Sequence, residues 1–138
     1  MSLVRFGVSL ESGLLKKFDS LIKSKGYSNR SEAFRDLIRQ DLVDKEWNSA
    51  SGEVAGTITL IYDHHQRELV GKLMDLQHDF GKIIVSSQHV HLDHNNCLEV
   101  IVVKGSPKDS QRLADSLKSV KGVKHATLSM SSTGKELT

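Results

Sequence analysis

The chain has 138 residues and a net charge of +2, with 38% hydrophobic and 26% charged residues. That length allows one moderate core, or two small ones that depend on partners. We find no apolar stretch long enough to span a bilayer and no signal-peptide pattern, so we expect a cytoplasmic protein without a membrane partner. The single cysteine, Cys97, excludes an intrachain disulfide.

Positive charge is concentrated near the N-terminus. Residues 1–30 contain six basic and two acidic side chains, whereas residues 51–138 contain ten of each. A basic segment joined to a neutral remainder is typical of a protein that binds a polyanion with one end.

The first 48 residues predict a strand followed by two helices. Apolar and polar residues alternate over 3–10, which indicates a strand with one apolar face. Apolar residues then recur at helical spacing up to Gly26, and a second helix begins after Asn29, with Glu32 placed as in a capping box. Three such elements cannot cover their own apolar faces, and a lone strand leaves both edges open. We therefore expect two chains to pair these strands in an intertwined dimer.

The stretch from Trp47 to Gly52 consists mostly of small or polar residues and predicts a linker. After it the pattern predicts, in order, a strand over 53–62, a helix over 66–79, strands over 82–91 and 97–103, a helix over 107–120 and a strand over 123–130. This order is the split βαβ, or ferredoxin-like, arrangement. The sequence therefore predicts an α+β protein with an N-terminal domain over residues 1–48 and a C-terminal domain over residues 53–131.

Three potential metal ligands lie on one predicted hairpin. His89 and His91 are two residues apart on a strand, so both extend from the same face. The next strand returns antiparallel and brings Cys97 opposite them, with roughly 4.5–5.5 Å between Cβ atoms. Two imidazoles and a thiolate suit late first-row divalent ions, with planar geometry indicating Ni(II) or Cu(II) and tetrahedral geometry Zn(II). The alternative is three polar residues near a turn with Cys97 simply buried.

A fourth ligand is harder to place. His78 ends the helix before the hairpin, but seven strand residues at about 3.3 Å each put His89 roughly 23 Å from residue 82. His78 therefore is either no ligand at all or a ligand in the site of another chain.

Three segments resemble the nickel-responsive regulator (NikR) family, namely residues 5–10, 26–36 and 89–99. The specific part is the run His-x-His-x5-Cys-Leu-Glu that begins at His89. The resemblance covers nearly the whole chain. It implies a ribbon-helix-helix DNA-binding domain followed by an ACT-like domain that binds metal and joins two dimers into a homotetramer.

The same resemblance implies a square-planar Ni(II) site. Its ligands would be His89, His91 and Cys97 of one chain and His78 of a neighbour. Glu99 matches a residue that orients the metal-bound ligands, although an exposed strand glutamate is the alternative.

The resemblance also implies contacts to a double-stranded DNA operator. Arg5, Gly7 and Ser9 would enter the major groove on a two-stranded ribbon. Arg5 can contact guanine with two hydrogen bonds, and Ser9 can make one. Gly7 departs from the longer polar residue of the family, so the operator sequence does not carry over. Arg67 matches a phosphate-contacting position, but Gln66 replaces a commonly basic neighbour.

Two further sets of polar residues remain to be interpreted. Glu32 and Asp36 match a secondary cation site of the family, although two exposed carboxylates on one helix face are the alternative. We assign only surface or structural roles to His64, His65 and His125.

These features predict a repressor whose affinity for DNA rises when Ni(II) bridges two chains. One alternative is the same architecture gated by copper, cobalt or zinc, and another is an ACT-type regulator gated by a small molecule. A zinc hydrolase would need an open coordination position and a general base. No carboxylate suggests itself as that base, so we expect no enzyme.

Overall fold

The computed structural model describes residues 2–138, which form four helices and four strands. By their internal contacts the residues divide into two units, Met1–Gln40 and Asp41–Thr138. We describe each unit by itself. None of the helices in the described part of the chain has the length and apolar character needed to cross a membrane.

The first unit contains helix α1, Ser12–Ser24, and the start of helix α2, Arg30–Trp47. The chain leaves α1 through Gly26, whose φ of 80° is a conformation that glycine adopts without strain. The side chain of Asn29 then accepts a hydrogen bond of 3.0 Å from the Glu32 N–H, as the capping pattern predicted. Both helices therefore begin and end close to where the sequence indicated.

The strand expected over residues 3–10 is not formed within this one chain, where residues 2–11 belong to no helix or strand. Its apolar side chains are exposed, with Leu3 at 90% and Phe6 at 74%. A strand exists only through hydrogen bonds to a neighbouring strand, and the neighbour we expect is the same segment of a second chain. Ala33 is the one buried residue among residues 2–40, so this unit has almost no core of its own.

The second unit contains an antiparallel sheet of four strands in the order β2-β3-β1-β4. Its elements, in chain order, are β1 Val54–Asp63, α3 Arg67–Asp79, β2 Ile84–His91, β3 Asn96–Gly105, α4 Pro107–Lys118 and β4 Val123–Met130. The chain therefore has the α+β architecture and the βαββαβ order that the hydrophobic pattern predicted.

Helices α3 and α4 cover one face of this sheet. The core between them includes Ile58 and Leu60 of β1, Leu73 of α3, and Leu113 and Leu117 of α4. Strand β2 is an edge strand, and all its residues after the first are exposed. The side chains of β2 therefore lie at the edge of the core and remain exposed to solvent.

The linker prediction was wrong at Trp47. Helix α2 continues through this residue, and its indole packs with Val43 and Val54 in a small second core cluster. The indole N–H donates a hydrogen bond of 2.7 Å to the Ser131 carbonyl. The local sequence could not indicate this, because the partners of the ring lie far along the chain.

Candidate metal centre and DNA-binding residues

The strand register brings four polar side chains to one face of the sheet. His91 of β2 pairs with Cys97 of β3, and His89 pairs with Glu99. Paired residues on adjacent strands extend from the same face, and this is the face that α3 and α4 cover. Cys97 and Glu99 are buried, with 0% and 1% exposure, whereas both histidines are exposed on the edge strand. The hairpin geometry expected from the sequence is therefore present, at the border between core and solvent.

His78 does not join these residues within one chain. It is exposed in the last turn of α3 and lines a separate cleft of about 680 Å³ together with Asp79, Lys82, Asp109 and Arg112. Among residues 2–138, no group of three or more His, Cys, Asp or Glu side chains is arranged to hold a metal ion. A single chain thus presents ligand types that suit a late first-row ion without assembling them into a closed site.

Glu99 is buried, so the alternative of an exposed strand glutamate does not hold. Its Oε1 accepts a hydrogen bond of 2.8 Å from the Tyr62 hydroxyl. Its Oε2 lies 3.1 Å from the side-chain nitrogen of Gln77 and 3.1 Å from Nε2 of His89. A buried carboxylate is tolerated only when such donors replace its lost water.

The contact with Glu99 fixes which nitrogen of His89 faces the carboxylate. When Glu99 is ionised its carboxylate only accepts hydrogen bonds, so the geometry assigns the hydrogen to Nε2 of His89. In the neutral ring the lone pair then belongs to Nδ1. Glu99 therefore holds the His89 ring by one nitrogen and leaves the other free to act as a ligand.

Sequence reasoning missed Tyr62 and Gln77. Tyr62 pairs with Cys97 across β1 and β3 and is buried. Burial raises the pKa of Tyr62, and the neighbouring Glu99 and Cys97 raise this pKa further, so the hydroxyl remains a donor at physiological pH. An aromatic residue with a polar end at a core position was the available signal, whereas Gln77 was marked only by its place before His78.

His64 also makes a contact that the sequence did not suggest. Its ring lies parallel to that of His91, with 4.4 Å between centroids and 1° between planes. His64 directly follows the end of β1, so its position beside β2 results from the strand order and not from any local pattern.

The carboxylates of the predicted secondary cation site already have local partners. Asp36 accepts a hydrogen bond of 2.6 Å from the Tyr27 hydroxyl and lies 3.5 Å from Arg39. Glu32 accepts one of 2.9 Å from the Ser28 hydroxyl. The hydrogen bond to Asp36 also raises the pKa of Tyr27. A cation that bound both carboxylates would have to displace or share these donors.

The residues expected to contact DNA are all exposed. Arg5, Gly7 and Ser9 alternate with apolar residues in the segment before α1. Arg67 is the first residue of α3, where free backbone N–H groups favour an anion. Gln66 caps this helix without a side-chain hydrogen bond.

Sequence models of two protein families match the chain. The NikR C-terminal nickel-binding domain matches residues 55–131, and the ribbon-helix-helix protein of the copG family matches residues 4–45. A relative from Syntrophus aciditrophicus is 58% identical over 96% of both chains, and one from Thermococcus kodakarensis is 55% identical over 99% of both. Their names class both with the nickel-responsive regulators.

A solved structure supports the fold of part of the chain. An uncharacterised protein from Thermotoga maritima matches with a TM-score of 0.51 and 15% identity, over 56% of this chain and 95% of that one. At this identity the likeness concerns the fold alone.

The hydrogen bond from Tyr62 to Glu99 should stabilise the protein. We expect Tyr62→Phe to lower the free energy of unfolding by about 1.5–3 kcal/mol, because a buried carboxylate loses a donor. The matched control is Tyr27→Phe, which removes a solvent-exposed hydrogen bond to Asp36 and should cost clearly less, because water replaces the lost donor. Denaturant unfolding at one protein concentration measures both, and equal losses would contradict the role of Glu99 as a buried charge.

Proposed function

The chain belongs to the family of nickel-responsive regulators, and we propose that it is a transcriptional repressor whose operator affinity rises when Ni(II) binds. The observation that carries this proposal is the pairing of His91 with Cys97 and of His89 with Glu99, inside the segment that matches the nickel-binding domain. We propose functional domains over residues 1–48, for DNA, and 53–131, for metal and tetramer formation. The relatives are regulators by name, and we propose no catalytic activity.

We propose that each nickel site takes His89, His91 and Cys97 from one chain and His78 from a neighbouring chain. The ligand types fit, since imidazole and thiolate together suit late first-row ions. The contact between Glu99 and Nε2 of His89 supports this assignment, because it orients the ring and leaves Nδ1 available as the ligand atom. The exposed position of His78, away from the hairpin of its own chain, supports a role across an interface.

A shared site would couple the metal to the arrangement of the chains. Bound Ni(II) would supply a positive centre that attracts ligands from two chains at once. Within each chain, Glu99 contacts both His89 and Gln77, the residue next to His78. The residue that completes a neighbour's site is therefore one position away from the network that orients the chain's own site. Such coupling is what a ligand-gated change of quaternary arrangement requires.

We propose that the segment over residues 3–10 pairs with its copy in a second chain and enters the major groove of double-stranded DNA. The exposed apolar side chains of this segment support pairing, because a second chain would cover them. Arg5 and Ser9 would contact bases, Gly7 would allow close approach, and Arg67 would contact phosphate. We propose that two such dimers form a homotetramer in the cytoplasm.

The pair Glu32 and Asp36 is proposed as a secondary cation site. Their spacing of four residues on α2 supports it, because such residues share one face of a helix. Binding there would compete with the hydrogen bonds from Ser28 and Tyr27.

The metal proposal predicts about one Ni(II) per chain and a thiolate-to-metal charge-transfer band. We expect Cys97→Ala to lose that band and His125→Ala, altered at an exposed histidine of β4, to keep it. Titration followed by absorption, with gel shifts on operator DNA with and without nickel, measures both effects. A band retained by Cys97→Ala would remove Cys97 from the site. If copper, cobalt or zinc increased operator binding more than nickel does, that metal would replace nickel as the proposed effector.

The DNA proposal predicts that Arg5→Ala weakens specific binding by about 1–3 kcal/mol if Arg5 contacts a guanine. Nickel uptake should not change, because the metal ligands lie in the other domain. Lys118→Ala, altered at an exposed lysine in the last turn of α4, is the control and should bind the operator as the wild type does. Gel shifts at one fixed salt concentration decide the matter, and normal operator binding by Arg5→Ala would refute the ribbon assignment.

A further inference from the structure

Four histidines form a row beside the turn that joins β2 and β3. The ring of His91 stacks on that of His64, at 4.4 Å, and His64 in turn contacts His65, at 4.2 Å between centroids. The ring of His65 lies 5.0 Å from that of His94, and its Nε2 is 2.8 Å from the His94 carbonyl oxygen. No local sequence pattern indicated a functional role for His64 or His65.

His91 would have a mobile side chain without this row. It is the last residue of an exposed edge strand, and an exposed imidazole samples several rotamers at little cost. Fixing one side chain on binding costs about 0.5–1.5 kcal/mol. A neighbour that already selects one rotamer in the apoprotein removes part of that cost.

His64 is well anchored to serve as that neighbour. Its backbone N–H donates a hydrogen bond of 3.2 Å to the Asn95 carbonyl, which ties it to the turn. The turn is closed by Asp93, whose carboxylate accepts hydrogen bonds from the backbone N–H groups of Asn95 and Asn96 and from the Asn96 side chain.

The stack leaves the ligand atoms of His91 accessible. A metal ion binds imidazole in the plane of the ring, along a nitrogen lone pair. His64 lies against the face of the His91 ring, with 1° between the planes. His64 can therefore fix the His91 ring without blocking the in-plane direction from which a metal would approach.

The Nε2 atom of His64 does not explain the position of this side chain. Nε2 of His64 is buried and has no hydrogen-bond partner among the residues that the structure describes. An unsatisfied buried polar atom costs free energy, and His64 joins no group of three potential metal ligands within residues 2–138. The favourable contact of this side chain is the flat face of its ring.

We propose that His64 is a positioning residue, which stacks on His91 and holds its imidazole in the orientation needed to bind nickel. This role rests on the nickel site proposed above. It requires an aromatic ring at position 64 and does not require a nitrogen.

The test compares two substitutions that separate the ring from the nitrogen. His64→Phe keeps a flat ring, whereas His64→Leu keeps an apolar side chain without one. We expect His64→Leu to weaken nickel binding by about 2- to 12-fold, as loss of one pre-ordered side chain implies, and His64→Phe to stay within about 2-fold of the wild type. Competition against a chelator measures the dissociation constants, with His125→Leu as the control.

A second measurement uses the tetramer without metal. The ring protons of His91, assigned by their absence in His91→Gln, should show a ring-current shift in the NMR spectrum of the wild type and of His64→Phe. That shift should be lost in His64→Leu. Because the Phe variant removes an unsatisfied nitrogen, its melting temperature should equal or exceed that of the wild type.

Equal weakening of nickel binding by both substitutions would overturn the proposal, since it would mean that the nitrogen is needed. Wild-type affinity in His64→Leu would also overturn it. If the wild-type protein bound no nickel, the proposed function would fail instead. The ring shifts of the apoprotein would still show whether His64 holds His91.

Discussion

The buried carboxylate of Glu99 is the constraint on which the rest of the C-terminal domain depends. A charge in the core is stable only with donors around it, and these come from three different elements: Tyr62 on β1, Gln77 on α3 and His89 on β2. Glu99 thus links the sheet, the end of α3 and one of the proposed ligand histidines through a single set of contacts. Cys97 shares this environment, because it is buried and pairs with Tyr62 on one side and His91 on the other.

Two properties of the single chain favour an assembly of several copies. The segment before α1 exposes its apolar side chains, which a second copy would cover. The potential nickel ligands lie apart, with His78 at the end of α3 and the others on the hairpin. If the proposed DNA-binding strand and the proposed metal site both need partner chains, binding of nickel at the metal site can control binding of DNA by the strand. This is the physical basis of the proposed gating by nickel, since an ion that bridges chains favours the arrangement in which its ligands meet.

The sequence predicted those features that depend on local pattern. Periodicity located the helices and the strands of the second unit, the Asn29 cap indicated the start of α2, and the spacing of His89, His91 and Cys97 indicated the hairpin. Features that depend on contacts distant in the chain were missed. The packing of Trp47 requires Val54 and Ser131, the burial of Glu99 requires Tyr62 and Gln77, and the stack of His64 on His91 requires the strand order. The strand predicted over 3–10 is not formed in the single chain, and we expect it to need the same segment of a second chain.

Mixed tetramers test the central claim, that each nickel site is shared between two chains. His78→Ala and Cys97→Ala chains each lack a ligand, and tetramers of either variant alone should lose the planar nickel absorption. After the two are refolded together, a shared site predicts recovery in roughly a quarter of the sites on random pairing, wherever an intact His78 of one chain meets an intact cysteine cluster of the other. A site within one chain predicts none, because every chain then carries a defect in its own site. Mixing would be confirmed by mass spectrometry and absorption then measured at saturating nickel. Recovery near that fraction is the expected result, and its absence in confirmed mixed tetramers would contradict the shared site and the route from nickel to DNA.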